Sequence, residues 1–181
     1  KIRLLRKSLL QYSMNKNLKE ALFLSSDYPV KTIVGRHTYG RPEIICYKSA
    51  ENSTLEIGSF CSIARGVTFL IGGNHYYENW TTYPMNLLFD DQELPWHEYS
   101  KNGIKIGNDV WIGYGATIMD GAVIGDGAVI GAKAVVAGKI PPCSIAVGNP
   151  AKVIKQRFQD INGYLNSKWW ELTDEEIKAK L

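Results

Sequence analysis

Histidine and cysteine are both scarce in this 181-residue chain, with three of each, and the scarcity narrows what the protein can be. Cys46, Cys61 and Cys143 are odd in number, far apart and in no CxxC pair, which argues against a disulfide framework and a thiolate zinc site. His37, His75 and His97 do not recur at a regular spacing that would bring them to one interface, which argues against a shared metal. The chain also lacks an excess of one charge. Its net +3 is spread evenly with no Lys/Arg block, so it offers no electrostatic footprint for nucleic acid. No apolar run is long enough to span a bilayer. The first residues, KIRLLRKSLLQ, are basic and apolar, but Arg6 and Lys7 interrupt any signal-peptide core. These absences leave the expectation of a cytoplasmic, metal-free protein, and the length favours one domain with a substantial core.

What is present is a repeat. A large aliphatic residue returns at every sixth position through Ile106, Ile112, Ile118, Ile124, Ile130 and Val136, usually followed by Gly. That period suits neither an α-helix nor an ordinary strand. It marks a parallel β-helix, in which three short strands make each triangular coil and one side chain per strand enters a narrow core. Glycines such as Gly113, Gly121 and Gly125 then occupy the corners. An earlier set, Ile57, Ile63 and Phe69, keeps the same phase and stops after Ile71. The phase resumes at Ile104 and Ile106. Between them runs a polar and aromatic segment that cannot be threaded through the core, so residues 72–103 are expected to project as a loop, a kind of insertion that is usually functional. Residues 1–30 are expected to form a helical cap, built on an amphipathic helix over residues 2–24. Residues 31–150 make the β-helix, and residues 151–181 are expected to be helical, with a capping box from Thr173 to Glu176.

The search for a general base is short. His75 lies in the projecting loop, His97 near its far end, and His37 on the first coil beside Tyr39. An imidazole suits proton abstraction near neutral pH. No Cys/His or Ser/His pairing is visible from spacing, so a covalent intermediate on the enzyme is not suggested. Trp111, in NDVWIG, is an outward aromatic that needs cover, either at a site or against a neighbouring subunit.

The loop GGNHYYENWTTYPMN, the run IKIGNDVWIGYGATIMDGAVIGDGAVIGAKAVV, and the later GNPAKVIKQRF and KWW together resemble the hexapeptide-repeat acyltransferases, and most closely their xenobiotic acetyltransferase branch. The resemblance covers about residues 34–170. It implies a left-handed parallel β-helix, a homotrimer with active sites between subunits, and acetyl-CoA as donor. It places the catalytic histidine on His75 and acceptor contacts on Tyr39, Asn74 and Trp111. It places the coenzyme along Trp111, Tyr114, Ala132, Ala137 and Gly138, with Lys152 and Lys155 near its phosphates. Where streptogramin acetyltransferases resemble VGxYSYY, this chain has Val34-Gly35-Arg36-His37-Thr38-Tyr39-Gly40. The leading expectation is an O-acetyltransferase acting on a sugar or polysaccharide-precursor hydroxyl. The alternatives are an antibiotic O-acetyltransferase, an amino-sugar N-acetyltransferase and, in another class, a non-catalytic β-helix scaffold.

Overall fold

The computed structural model describes residues 23–24, 30–91, 93–94 and 97–180. Most of the expected N-terminal helix lies outside the described residues. Its last two positions are not helical: Phe23–Leu24 is a strand paired in parallel with Glu43 and Ile44.

The strands wind into a solenoid with three faces, each a five-stranded sheet. The first face is Phe23–Leu24, Glu43–Cys46, Thr68–Ile71, Thr117–Met119 and Val135–Val136. The second is Lys31–Val34, Thr54–Ile57, Gly103–Ile106, Val123–Ile124 and Lys139–Ile140. The third is Ser62–Ile63, Trp111–Ile112, Val129–Ile130, Ser144–Val147 and Lys152–Gln156. Every pairing within the faces is parallel except the last.

The six-residue period becomes three vertical rows of core side chains. Ile44, Phe69, Ile118 and Val136 stack on the first face, Ile57, Ile106, Ile124 and Ile140 on the second, and Ile63, Ile112, Ile130 and Ala146 on the third. All twelve are at most 6% exposed. Two residues ahead of the later rows, Val110, Ala116, Ala122, Ala128 and Ala134 are also fully inside. A small group there fills the corner where consecutive strands converge, while burial of each large aliphatic stabilises by about 1.5–3 kcal/mol. Cys46, Cys61 and Cys143 are unpaired and buried, and burial pushes the Cys61 thiol up to about 11.

The corner between the second and third faces repeats one backbone shape. His37, Phe60, Asp109, Gly127 and Cys143 all have φ between 51° and 68°. For side chains other than Gly this costs about 1–2 kcal/mol each, and the stacked corners offset it by bonding to one another. Asn108 Oδ1 accepts from the Ser59 amide at 2.8 Å, and Asn108 Nδ2 donates to Asp126 Oδ1 at 2.9 Å.

Residues 151–181 correct the helical expectation. Lys152–Gln156 turns back as a strand antiparallel to Ser144–Val147. The last coil would otherwise end in a bare row of N–H and C=O groups, and this strand pairs with them. Helices follow at Ile161–Ser167 and Asp174–Lys178, the second opened by the Thr173–Glu176 capping box. The tail docks on the same corner column. Arg157 donates to the Gly127 carbonyl at 2.7 Å and to Asp109 Oδ2 at 3.1 Å, Tyr164 donates to the same carboxylate, and Trp169 stacks on Phe60. Trp170 is buried beneath Tyr164.

Candidate active site

The chain leaves the solenoid after Ile71, at the corner between the first and second faces, and re-enters at Gly103. That glycine belongs to the strand Gly103–Ile106, so the excursion ends at residue 102. The coils on either side stack as if nothing intervened, with Thr54 opposite Gly103 and Ile57 opposite Ile106. Gly103 has φ +96°, and a Cβ there would lie 2.0 Å from the Thr54 carbonyl oxygen. The excursion is not featureless. Asn74–His75 pairs antiparallel with Glu98–Tyr99, and Met85–Leu88 forms one helical turn.

His75 is exposed on this hairpin. Its Nδ1 lies 2.9 Å from the Thr82 carbonyl oxygen. A carbonyl only accepts, so Nδ1 carries the hydrogen and Nε2 presents the lone pair of the neutral ring. The sequence separates His75 from His97, yet the two rings meet edge to face with centroids 5.6 Å apart. His97 is held in turn, with Nδ1 3.1 Å from Asn86 Oδ1 and Nε2 3.3 Å from Glu98 Oε1. The hairpin pairing brings them together, because it seats Glu98 opposite His75. Asn74 turns the other way. Its amide nitrogen donates to Asp120 Oδ2 at 2.9 Å and to the Tyr99 carbonyl at 3.3 Å.

The remaining expected residues fall into three groups. Tyr39, Ser62, Trp111, Val129, Ile145 and Lys155 occupy one register row across the third face. At about 4.8 Å per strand, Tyr39 and Trp111 stand roughly 10 Å apart. Both are at least half exposed, and Lys152 and Lys155 are exposed on the edge strand. Tyr114 and Ala132 lie at the corner between the third and first faces, where the Lys133 amide donates to the Tyr114 carbonyl and its ammonium sits over the Tyr114 ring. Ala137 and Gly138 lie at the corner from which the excursion departs, two coils further on, with the Val123 amide bonded to the Gly138 carbonyl. Gly138 is unusual among the seventeen glycines: a Cβ there would meet nothing within 4 Å, and its φ is not positive. One chain thus places His75 at a corner that the third face, with Tyr39 and Trp111, does not share.

His37 is a surface histidine, but it is not idle. Its Nε2 is 2.9 Å from Asp174 Oδ1, and Arg36 Nη1 reaches the same oxygen at 2.6 Å. Arg36 also donates to the Trp170 and Leu172 carbonyls. The hydrogen bond from His37, followed by that from Arg36, holds the exposed Asp174 carboxyl below the ordinary 3.8. Together these residues clasp the tail to the first coil. Sequence reasoning also missed Asp120, which passes for a turn residue in IMDG; its signal was a carboxylate at a turn directly above the two ends of the excursion.

Comparison with known proteins agrees with this architecture. The family described as bacterial transferase hexapeptide (six repeats) matches residues 103–138. A probable macrolide acetyltransferase from Lysinibacillus sphaericus is 46% identical over 134 residues, covering 68% of this chain and 72% of that protein. A chloramphenicol acetyltransferase from Agrobacterium fabrum is 45% identical over 137 residues, covering 70% of this chain but only 64% of the relative's length. Among solved structures, a galactoside acetyltransferase in complex with coenzyme A superposes with a TM-score of 0.52 at 25% identity, covering 85% of this chain and 70% of that one. A three-faced solenoid built on a six-residue period, together with a relative at this identity and coverage, places the chain in the hexapeptide-repeat acetyltransferases, so the protein belongs to that family of enzymes.

Proposed function

We propose that the protein transfers an acetyl group from acetyl-CoA directly to a hydroxyl of a bulky, largely apolar acceptor of the antibiotic type, with His75 as general base. The observation that carries this reading is the tautomer of His75. With Nδ1–H committed to the Thr82 carbonyl, Nε2 is free to take the acceptor's hydroxyl proton as that oxygen attacks the thioester carbonyl. The tetrahedral adduct then collapses, the C–S bond breaks, and the imidazolium returns the proton to the CoA thiolate.

Sugar hydroxyls rank first on sequence, and two observations favour the antibiotic alternative instead. Tyr77, Trp80, Tyr83, Leu87 and Phe89, all on the His75 excursion, are exposed, with Trp80 at 92%. Such a surface is costly in water and suits an apolar ligand. The relatives at 45–46% identity are named for macrolide and chloramphenicol. A sugar acceptor is the second reading, favoured by the shared fold of the galactoside enzyme.

For the donor, Gly138 supports a bound pantetheine, since neither its backbone nor its neighbours within the chain require a glycine there. Ala132 and Ala137 keep the flanking corners shallow, Tyr114 and Trp111 supply apolar walls, and Lys152 and Lys155 supply mobile charges for the phosphates. The solenoid is taken as left-handed and the assembly as a homotrimer. The split placement of His75 and the Tyr39–Trp111 row supports a site completed by a second copy. The test is acceptor-dependent release of CoA thiol by the wild type and His75→Ala, against macrolide, chloramphenicol, streptogramin and sugar acceptors. A fall of at least about a hundredfold in the variant is expected. Undiminished turnover in the variant overturns the base assignment, and turnover with sugars alone reverses the ranking.

A further inference from the structure

Among the described residues, Asp120 is the most heavily hydrogen-bonded side chain outside the proposed chemistry. It is only 3% exposed, at the corner just after Thr117–Met119. Its Oδ2 accepts from Asn74 Nδ2 at 2.9 Å, Ser100 Oγ at 3.0 Å and the Lys101 amide at 2.6 Å. Its Oδ1 accepts from the Gly103 amide at 3.0 Å and Ser100 Oγ at 3.2 Å. The donors come from both ends of the excursion: Asn74 on the outgoing side, and Ser100, Lys101 and Gly103 on the returning side. One carboxylate, fixed to a rigid coil, therefore fastens the two stems to each other and to the solenoid.

We propose that Asp120 is a positioning residue for acetyl transfer, acting through Asn74 on His75. Asn74 and His75 are consecutive in a strand, so their side chains face opposite ways. Drawing Asn74 inward to Asp120 turns His75 outward, and a one-residue slip of the hairpin would reverse both. A buried carboxylate suits this duty because it accepts several charge-assisted hydrogen bonds at once. An amide in its place keeps one acceptor oxygen and sets an NH2 group against N–H donors. The inference rests on His75 being the base.

The experiment measures kcat and KM for acetyl-CoA, with the equilibrium affinity for CoA, in Asp120→Asn, Asn74→Ala and the double variant, beside His75→Ala. Misplacement of a catalytic group by about 1 Å costs on the order of a hundredfold. Asp120→Asn is therefore expected to lower kcat roughly tenfold to a hundredfold, leaving CoA affinity unchanged. Asn74→Ala should do the same, and the double variant should be no slower than the slower single. A folded Asp120→Asn protein with wild-type kcat, or losses that multiply in the double variant, overturns the proposal. If Asp120→Asn does not fold, Asn74→Ala decides alone: a lowered kcat at unchanged CoA affinity supports the coupling, and an unchanged kcat refutes it. Retained activity in His75→Ala is a different failure, that of the base assignment itself.

Discussion

The solenoid and the excursion it carries are held together in opposite ways. In the solenoid every coil repeats the same contacts, so Ile118 is supported by Phe69 below and Val136 above, and each of those by its own neighbours. In the excursion nothing repeats. His75 is held by one carbonyl and by the His97 ring, His97 by Asn86 and Glu98 among others, and both stems by one carboxylate with help from Ser49 and Ser53. Repetition makes a structure tolerant and easy to recognise, whereas single contacts make it adjustable and hard to recognise. The chemistry proposed for His75 sits in the second kind of region, supported by the first.

The boundary between the two is where the contrast breaks most completely. Gly103→Val puts a branched side chain at φ +96° with its Cβ 2.0 Å from the Thr54 oxygen. It is expected to remove at least about 3 kcal/mol of stability, or to prevent folding altogether, as a urea titration of the soluble fraction will show. Ile118→Ala acts only on the solenoid. A loss of about 2–5 kcal/mol is expected, with kcat per folded molecule unchanged. If kcat falls with the stability, the two regions are less independent than their contacts imply.

Smaller effects sharpen the assignment of individual residues. In Gly138→Leu the new Cβ has nothing within 4 Å in the chain. Stability should stay within about 0.5 kcal/mol while KM for acetyl-CoA rises on the order of tenfold, whereas a drop in melting temperature alone would return this glycine to a structural role. Trp80→Ala removes a ring that is 92% exposed. Severalfold weaker binding of an apolar acceptor is expected, with no change in the urea midpoint. The smallest effect concerns acid. Asp174 has a lowered folded-state pKa, so its contribution is complete above the unfolded value near 3.8 and is lost as pH falls through the folded one. Asp174→Asn should therefore flatten the acid end of the stability curve followed by tryptophan fluorescence, by a modest amount because the pair is exposed.

The same contrast explains what the sequence disclosed. Ile57, Ile63 and Phe69 share a phase with Ile106 through Val136 because each must fill the same place in a coil, so the core rows and the site of the interruption were both legible. His75 and Trp111 stood out through their motifs. The contact between His75 and His97 did not, since an antiparallel pairing across an excursion leaves no period to read. Asp120 was hidden for a related reason: a carboxylate before glycine at a turn is ordinary, and only the stacking of coils shows that two distant stems end beneath it. Lys152–Gln156 escaped because five residues of mixed character fit a strand or a helix equally well until the open edge beside them is known.

The matched strands on either side of the interruption make the fold a socket. Thr54–Ile57 meets Gly103–Ile106 in register, so the span between residues 71 and 103 returns to its starting corner whatever its content. The entropy of closing such a span grows only with the logarithm of its length. A different excursion, longer or shorter, can therefore be grafted at this seam for little stability, provided its two stems still answer to the carboxylate at 120. If the proposed acceptor surface on the excursion is correct, acceptor preference becomes interchangeable while the scaffold stays constant.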